Sequence, residues 1–159
     1  EISCIDPLKK GRTTAKERDP VKPVSDAVVE QTLPHMPPVV ADMVRLQRLV
    51  GCRPGEVVAI TPGMVDRTSD VWEIRLANHK TAWRGHERTI YVGPKAQEIL
   101  RRYLLRGADV PCFSPIEATE QRREVREANR KTPPSCGNVR GSKCKADPLR
   151  APSQQFTAG

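Results

Sequence analysis

A helical spacing of apolar residues is the clearest pattern in the chain, and it begins after Pro38. These apolar residues recur every three or four positions and predict one buried helix face, made of Val39, Met43, Leu46 and Val50. Gly51 suits the left-handed exit from this helix, and Pro54 suits the first turn of a second helix that ends at Pro62. The pattern therefore predicts a helix–break–helix unit with Arg53 at the junction.

Alternating apolar and polar residues predict a small antiparallel sheet after that unit. In residues 71–76, Trp72, Ile74 and Leu76 fall on one face of a strand, and residues 88–92 read as its partner. The polar connection, residues 77–86, predicts a hairpin loop. We therefore predict Trp72 to be a core residue rather than one that stacks on bases.

Further helices are predicted on both sides of these elements. A short helix is expected over residues 24–33, and another from Gly93-Pro94 to about Gly107. Ser114 to Glu117 predicts a capping box for a solvent-facing helix that reaches about Arg130, and Cys112-Phe113 predicts a brief third strand. The predicted fold class is α+β, mainly helical with a small antiparallel β-sheet.

Composition divides the chain into three parts and gives it a strong positive charge. Residues 1–22 are rich in proline and charge and predict an interdomain linker, residues 23–130 predict the folded domain, and residues 131–159 predict a basic, disordered insertion or tail. The formal net charge is +8, with the excess of cations in residues 39–159. Such an excess favours a nucleic-acid partner, because cations near a phosphate polymer release its counterions. A basic surface that only confers solubility is the alternative.

The cysteines and the hydropathy exclude several classes of protein. The five cysteines are an odd number without a CxxC pair or zinc-finger spacing, so free thiols are predicted rather than a metal site or a disulfide framework. No signal sequence and no apolar run of bilayer length occurs. We expect a soluble, cytoplasmic protein that does not engage a membrane.

The order of these parts resembles that of the tyrosine recombinases, the phage-integrase family of site-specific DNA strand transferases. Their catalytic domains carry Gly-x-Arg-x-x-Glu at a helix junction, which here is Gly51-Cys-Arg53-Pro-Gly-Glu56. A small sheet follows whose hairpin bears a catalytic lysine, here in His79-Lys80-Thr81, and then a helix like residues 93–100. The later segment, with Cys112-Phe-Ser-Pro115 and Arg130-Lys-Thr-Pro-Pro-Ser-Cys-Gly-Asn138, is similar to an insertion in a bacterial subgroup known from planctomycetes.

The resemblance implies a phosphotyrosyl mechanism in which a tyrosine attacks the DNA phosphate. It implies catalytic roles for Arg53 on the non-bridging oxygens, Lys80 as proton donor to the leaving oxygen, and Glu56 as the residue that orients Arg53. It implies DNA contacts by Arg53, Lys80, His79 and Arg84, double-stranded DNA as partner, and assembly of the intact family as a multimer on DNA. The family needs no metal and no nucleotide cofactor.

The sequence also departs from the family. A downstream His-x-x-Arg and a nucleophilic tyrosine are missing, and Tyr91 and Tyr103 are interpreted as structural residues. We therefore expect residues 23–130 to be the N-terminal part of a catalytic domain, inactive alone, since such groups act as a unit. Two alternatives stay open: a non-catalytic DNA-binding module, and a small basic structural nucleic-acid-binding protein.

Overall fold

The computed structural model describes residues 11, 19–76, 85, 87–133 and 153–157 of the chain. They form two compact units, which divide between Gln31 and Thr32. In the first unit, helix α1 begins at Asp26 and buries none of its residues; the helix as a whole spans Asp26–Thr32. The sequence predicted a helix at this position.

The second unit contains the helix–break–helix pair that the sequence predicted. After a 3-10 helix at Leu33–His35, helix α2 spans Pro38–Val50 and helix α3 spans Pro54–Val58. Gly51 adopts the left-handed conformation with φ 64°, and its N–H donates to the carbonyl oxygen of Gln47 at 2.9 Å. The break therefore takes the chain sharply out of α2 and into α3.

A three-stranded antiparallel sheet follows, in the order β1-β2-β3. Strand β1 is Val65–Asp66, β2 is Trp72–Leu76 and β3 is Arg88–Val92. Strands β2 and β3 pair from Trp72 with Val92 to Leu76 with Arg88. One sheet face is buried and consists of Val65, Trp72, Ile74, Leu76, Ile90 and Val92. The α+β class, the two longer strands and the core position of Trp72 are confirmed.

Two further helices complete the described fold. Helix α4 spans Pro94–Arg101 and helix α5 spans Pro115–Ala128. Helix α2 lies at the centre, where it packs against α3, α4, α5 and β3. Helix α5 is largely exposed, as predicted, and buries only Ala118. Its Gln121 side chain accepts a hydrogen bond from the N–H of Val39 at 3.1 Å, so it caps the first turn of α2.

Three local predictions are wrong. The helix predicted to reach about Gly107 ends at Arg101, and turns follow it. Cys112 and Phe113 are not a strand, and the third strand of the sheet is β1. The Cys112 N–H instead donates to the carbonyl oxygen of Ile60 at 2.8 Å, outside the sheet. The capping box at α5 is only half made. Ser114 accepts a hydrogen bond from the N–H of Ile116, but Glu117 pairs with the Arg106 guanidinium at 2.5 Å instead of completing the box. A hydrogen bond between two charged groups is stronger than one from a neutral backbone N–H.

Several predicted segments lie outside the described residues. They include most of the linker at 1–22, residues 77–84 and 86 of the hairpin loop, and residues 134–152 and 158–159 of the predicted tail. Within that tail, the described residues 153–157 contact the domain: the Gln155 amide donates to the carbonyl of Val58 at 3.3 Å, and Phe156 packs against the core. Among the described residues, no helix has both the length and the apolar character needed to cross a bilayer.

Candidate DNA-phosphate site

The break between α2 and α3 presents Arg53 at a helix N-terminus. Arg53 is the N-cap residue of α3, with extended backbone at φ −76° and ψ 155°, and Pro54 occupies the first helical position. The preceding residue, Cys52, is buried, whereas the Arg53 side chain is 53% exposed. The chain thus fixes the Arg53 backbone against the core while its guanidinium faces solvent.

Glu56 holds Arg53 from the first turn of α3. Its Oε2 accepts a hydrogen bond from the Arg53 N–H at 2.8 Å, and its Oε1 accepts one from the Arg53 guanidinium Nη1 at 3.1 Å. The Glu56 side chain is only 6% exposed. One buried carboxylate therefore holds both the backbone and the guanidinium of Arg53.

A second arginine reaches the same carboxylate from the sheet. Arg88 is the first residue of β3, and its Nη2 donates to Oε2 of Glu56 at 3.3 Å. Its side chain is 37% exposed, yet its Nε is buried and has no hydrogen-bond acceptor among the described residues. Arg88 joins the helix N-terminus to the base of the hairpin, because its strand partner is Leu76.

The electrostatics of this Glu56 cluster (Arg53, Glu56 and Arg88) favour an ionised carboxylate. Burial acts to raise the pKa of Glu56, but the Arg53 N–H and the Arg88 guanidinium together outweigh burial and leave that pKa below its ordinary value. Burial, followed by the nearby charge of Glu56, raises the pKa of the Cys52 thiol to about 11. Two guanidiniums around one carboxylate give the cluster a net positive charge, which suits an anion.

The structure brings two of the predicted site residues together, Arg53 and Glu56. The other three, His79, Lys80 and Arg84, lie outside the described residues. Both ends of their hairpin are described, since Leu76 and Arg88 are a strand pair, and one of those ends contacts Glu56.

Sequence analysis missed Arg88 as a member of the cluster, although a signal was present. Alternation along β3 places Arg88 on the same face as Ile90 and Val92, which are buried. A charged residue at an inward strand position requires a partner of opposite charge. The pattern thus predicts a buried acidic residue near Arg88, but it does not identify Glu56 as that residue.

A second polar cluster, the Asp42 cluster, lies between α2 and the turn after α4. Asp42 is buried and accepts from Arg45 Nη1 at 3.2 Å, from Arg102 Nη1 at 3.1 Å and from the Tyr103 hydroxyl at 2.8 Å. Burial, then the hydrogen bond to Asp42, raises the pKa of Tyr103. Its ring packs on Phe113 with centroids 4.7 Å apart. In this position Tyr103 is part of the core, whereas Tyr91 is 62% exposed on the outer face of β3.

In the described part of the chain, the His, Cys, Asp and Glu side chains form no group of three that could hold a metal ion. The chain matches no protein-family model, no curated protein and no solved structure.

Proposed function

We propose that this chain binds duplex DNA through a phosphate contact at Arg53, and that it represents the arginine-bearing part of a tyrosine-recombinase catalytic domain. The observation that carries the proposal is the half-exposed Arg53 guanidinium held by the buried Glu56 at a helix N-terminus. Strand cleavage and rejoining would need a His-x-x-Arg and a tyrosine nucleophile from elsewhere, so the chain alone acts as a binding module.

The geometry of Arg53 supports a phosphate ligand. A guanidinium has five N–H donors in a planar fork, which matches two oxygens of a phosphate. In the described part of the chain, the Arg53 side chain donates only to Glu56, through Nη1. Its other donors are thus available for phosphate oxygens, and the positive end of α3 and the charge of Arg88 add to the attraction.

The position of the hairpin supports Lys80 as the second cation of the site. Lys80 follows Leu76 by four residues. Leu76 pairs with Arg88, and Arg88 contacts Glu56. By the family resemblance, Lys80 in this hairpin would protonate the leaving oxygen in an intact recombinase.

The net charge supports DNA rather than a small phosphate compound. A formal charge of +8 on 159 residues favours a polyanion, whose bound counterions are released when the protein binds. The alternative, a basic structural nucleic-acid-binding protein, shares this charge but gives Arg53 no advantage over the other arginines. The two functions are therefore separated by a test on single arginines.

The test is a titration of a short fluorescein-labelled duplex by anisotropy, with Arg53→Ala and Arg67→Ala compared at several salt concentrations. Arg67 is exposed and lies between β1 and β2, so its removal costs the same charge without touching the Glu56 cluster. We expect Arg53→Ala to weaken binding about tenfold, a loss of about 1.4 kcal/mol, and to lower the salt slope by about one. Arg67→Ala should weaken binding less than about threefold.

Equal losses in the two variants would favour the structural alternative, because Arg53 would then act only as one charge among many. No binding by the unmutated chain at low salt would remove the DNA proposal itself.

A further inference from the structure

We propose that Arg88 is a positioning residue for the phosphate contact: by sharing Glu56 with Arg53, it keeps the Arg53 guanidinium available to DNA. This inference rests on the proposed function, because it assigns Arg88 a part in the same site. Arg88 does not belong to the Gly-x-Arg-x-x-Glu motif or to the hairpin loop, and it enters only through the three-dimensional contacts of Glu56.

Arg53 and Arg88 share the two carboxylate oxygens of Glu56. Oε2 accepts from the Arg53 N–H at 2.8 Å and from Arg88 Nη2 at 3.3 Å, while Oε1 accepts from Arg53 Nη1 at 3.1 Å. A carboxylate that is 6% exposed needs this full set of donors to remain charged. Without Arg88, Arg53 would be the only cation left to compensate Glu56 and would be drawn further onto it.

Arg88 also sets the net charge of the Glu56 cluster. With Arg88 present, two guanidiniums face one carboxylate, so a positive charge remains for a phosphate. Without Arg88, the pair is neutral, and phosphate must compete with Glu56 for Arg53. Arg75 on β2 gives the contrast within the same sheet: it pairs with Glu73 at 3.3 Å and Asp66 at 3.7 Å, so that surface has no positive excess.

Arg88 lies on a more regular element than Arg53 does. Its backbone is held by the pairing of β3 with β2, whereas Arg53 sits in a break between two helices. A side chain on a paired strand can fix a neighbour on a less regular segment, as supporting residues do in preorganised sites.

Arg88 is less suited than Arg53 to contact phosphate itself. Its side chain is 37% exposed against 53% for Arg53, its Nε is buried, and its Nη2 is directed to Glu56. The role assigned to it is therefore indirect, and an indirect role has a distinct thermodynamic signature.

The experiment is a double-mutant cycle on DNA affinity in the full 159-residue chain, with the same fluorescein-labelled duplex. The variants are Arg53→Ala, Arg88→Met and the double variant; methionine keeps much of the stem volume and removes the guanidinium. Arg75→Met is the matched control, an arginine on the neighbouring strand whose partners are exposed carboxylates. Unfolding midpoints are measured in parallel, and affinities are compared well below them.

We expect Arg88→Met to weaken binding about fivefold when Arg53 is present, and no more than Arg75→Met does when Arg53 is replaced. Arg88→Lys should recover part of the loss, because it restores a cation beside Glu56 without the fork. In carboxyl NMR, the pKa of Glu56 should rise in Arg88→Met and stay in place in Arg75→Met.

Three outcomes would overturn the inference. Additive losses in the cycle would make Arg88 a direct phosphate contact. A lowered unfolding midpoint with unchanged affinity would make it purely structural, and equal losses in Arg88→Met and Arg75→Met would reduce it to bulk charge. The proposed function fails differently: Arg53→Ala would then behave like Arg67→Ala whatever happens at residue 88.

Discussion

Two buried carboxylates, Glu56 and Asp42, solve the same physical problem in different places. Each is almost removed from water, and each is compensated by two arginines and a third donor. For Asp42 the third donor is the hydroxyl of Tyr103, a core residue stacked on Phe113. For Glu56 it is the N–H of Arg53 itself. The partners therefore decide whether a buried charge fastens elements together or presents one residue.

The difference lies in what each carboxylate connects. Asp42 ties α2 to the turn after α4, and these are two parts of the helical core. Glu56 ties the N-terminus of α3 to the base of the hairpin, at the first residue of β3. We infer that the Asp42 cluster contributes mainly to stability and the Glu56 cluster to binding. The following substitutions test that division.

The largest expected effect is on stability at Asp42. Asp42→Ala leaves the buried Tyr103 hydroxyl without its acceptor and the two arginines without their anion. We expect a loss of about 2–4 kcal/mol in the free energy of unfolding, measured with urea. Asp109→Ala, at an exposed turn, serves as control and should cost less than about 0.5 kcal/mol. If Asp42→Ala weakened DNA binding as much as Arg53→Ala does, the assignment of the Asp42 cluster to stability and the Glu56 cluster to binding would be wrong.

The second effect is the acid dependence of stability that Glu56 contributes. The pKa of Glu56 is lowered from its ordinary value of 4.5, so its ionised form favours the folded state. This contribution is complete above about pH 4.5 and is lost as the pH falls through the lower, folded-state pKa. Glu56→Gln should cost about 1–3 kcal/mol at neutral pH, and the difference from the unmutated chain should shrink in acid.

Urea unfolding over a series of pH values measures this effect, with Glu98→Gln as an exposed control on α4. A difference between Glu56→Gln and the unmutated chain that stays constant down to strongly acidic pH would mean that hydrogen bonding, not charge, makes Glu56 stabilising. The same variant should also weaken DNA binding, whereas Asp42→Ala should not.

Local patterns in the sequence predicted most of the regular structure. Helix α2 is marked by its apolar spacing and by a glycine that requires positive φ, and β3 was predicted over the residues it occupies. Each of these signals lies within one element. The strand predicted at Cys112-Phe113 failed because two apolar residues can be buried by a loop as well as by a sheet: both are fully buried here without strand pairing.

The candidate site could be predicted only as far as one motif reaches. Arg53 and Glu56 are three residues apart, so helix geometry alone brings them together. Arg88 is 32 residues beyond Glu56, and Tyr103 is 61 beyond Asp42. Such contacts depend on how the sheet packs against the helices, which spacing does not encode. The sequence does show that such contacts are needed, because Asp42 falls in the apolar stripe of α2 and Arg88 falls on the inner face of β3.

The smallest predicted effect concerns two buried cysteines, each with a pKa raised to about 11, chiefly by burial. Cys52 adjoins the Glu56 cluster, and Cys112 precedes Phe113, on which Tyr103 packs. Buried thiols react with iodoacetamide only when the surrounding structure opens. Glu56→Gln should therefore speed alkylation of Cys52 about fivefold over that of Cys112, as a local loss of about 1 kcal/mol implies. Peptide mass spectrometry measures both sites in one sample. Equal acceleration would show that the two clusters open together, and the division between a stabilising and a binding carboxylate would then have no basis in the mechanics of the fold.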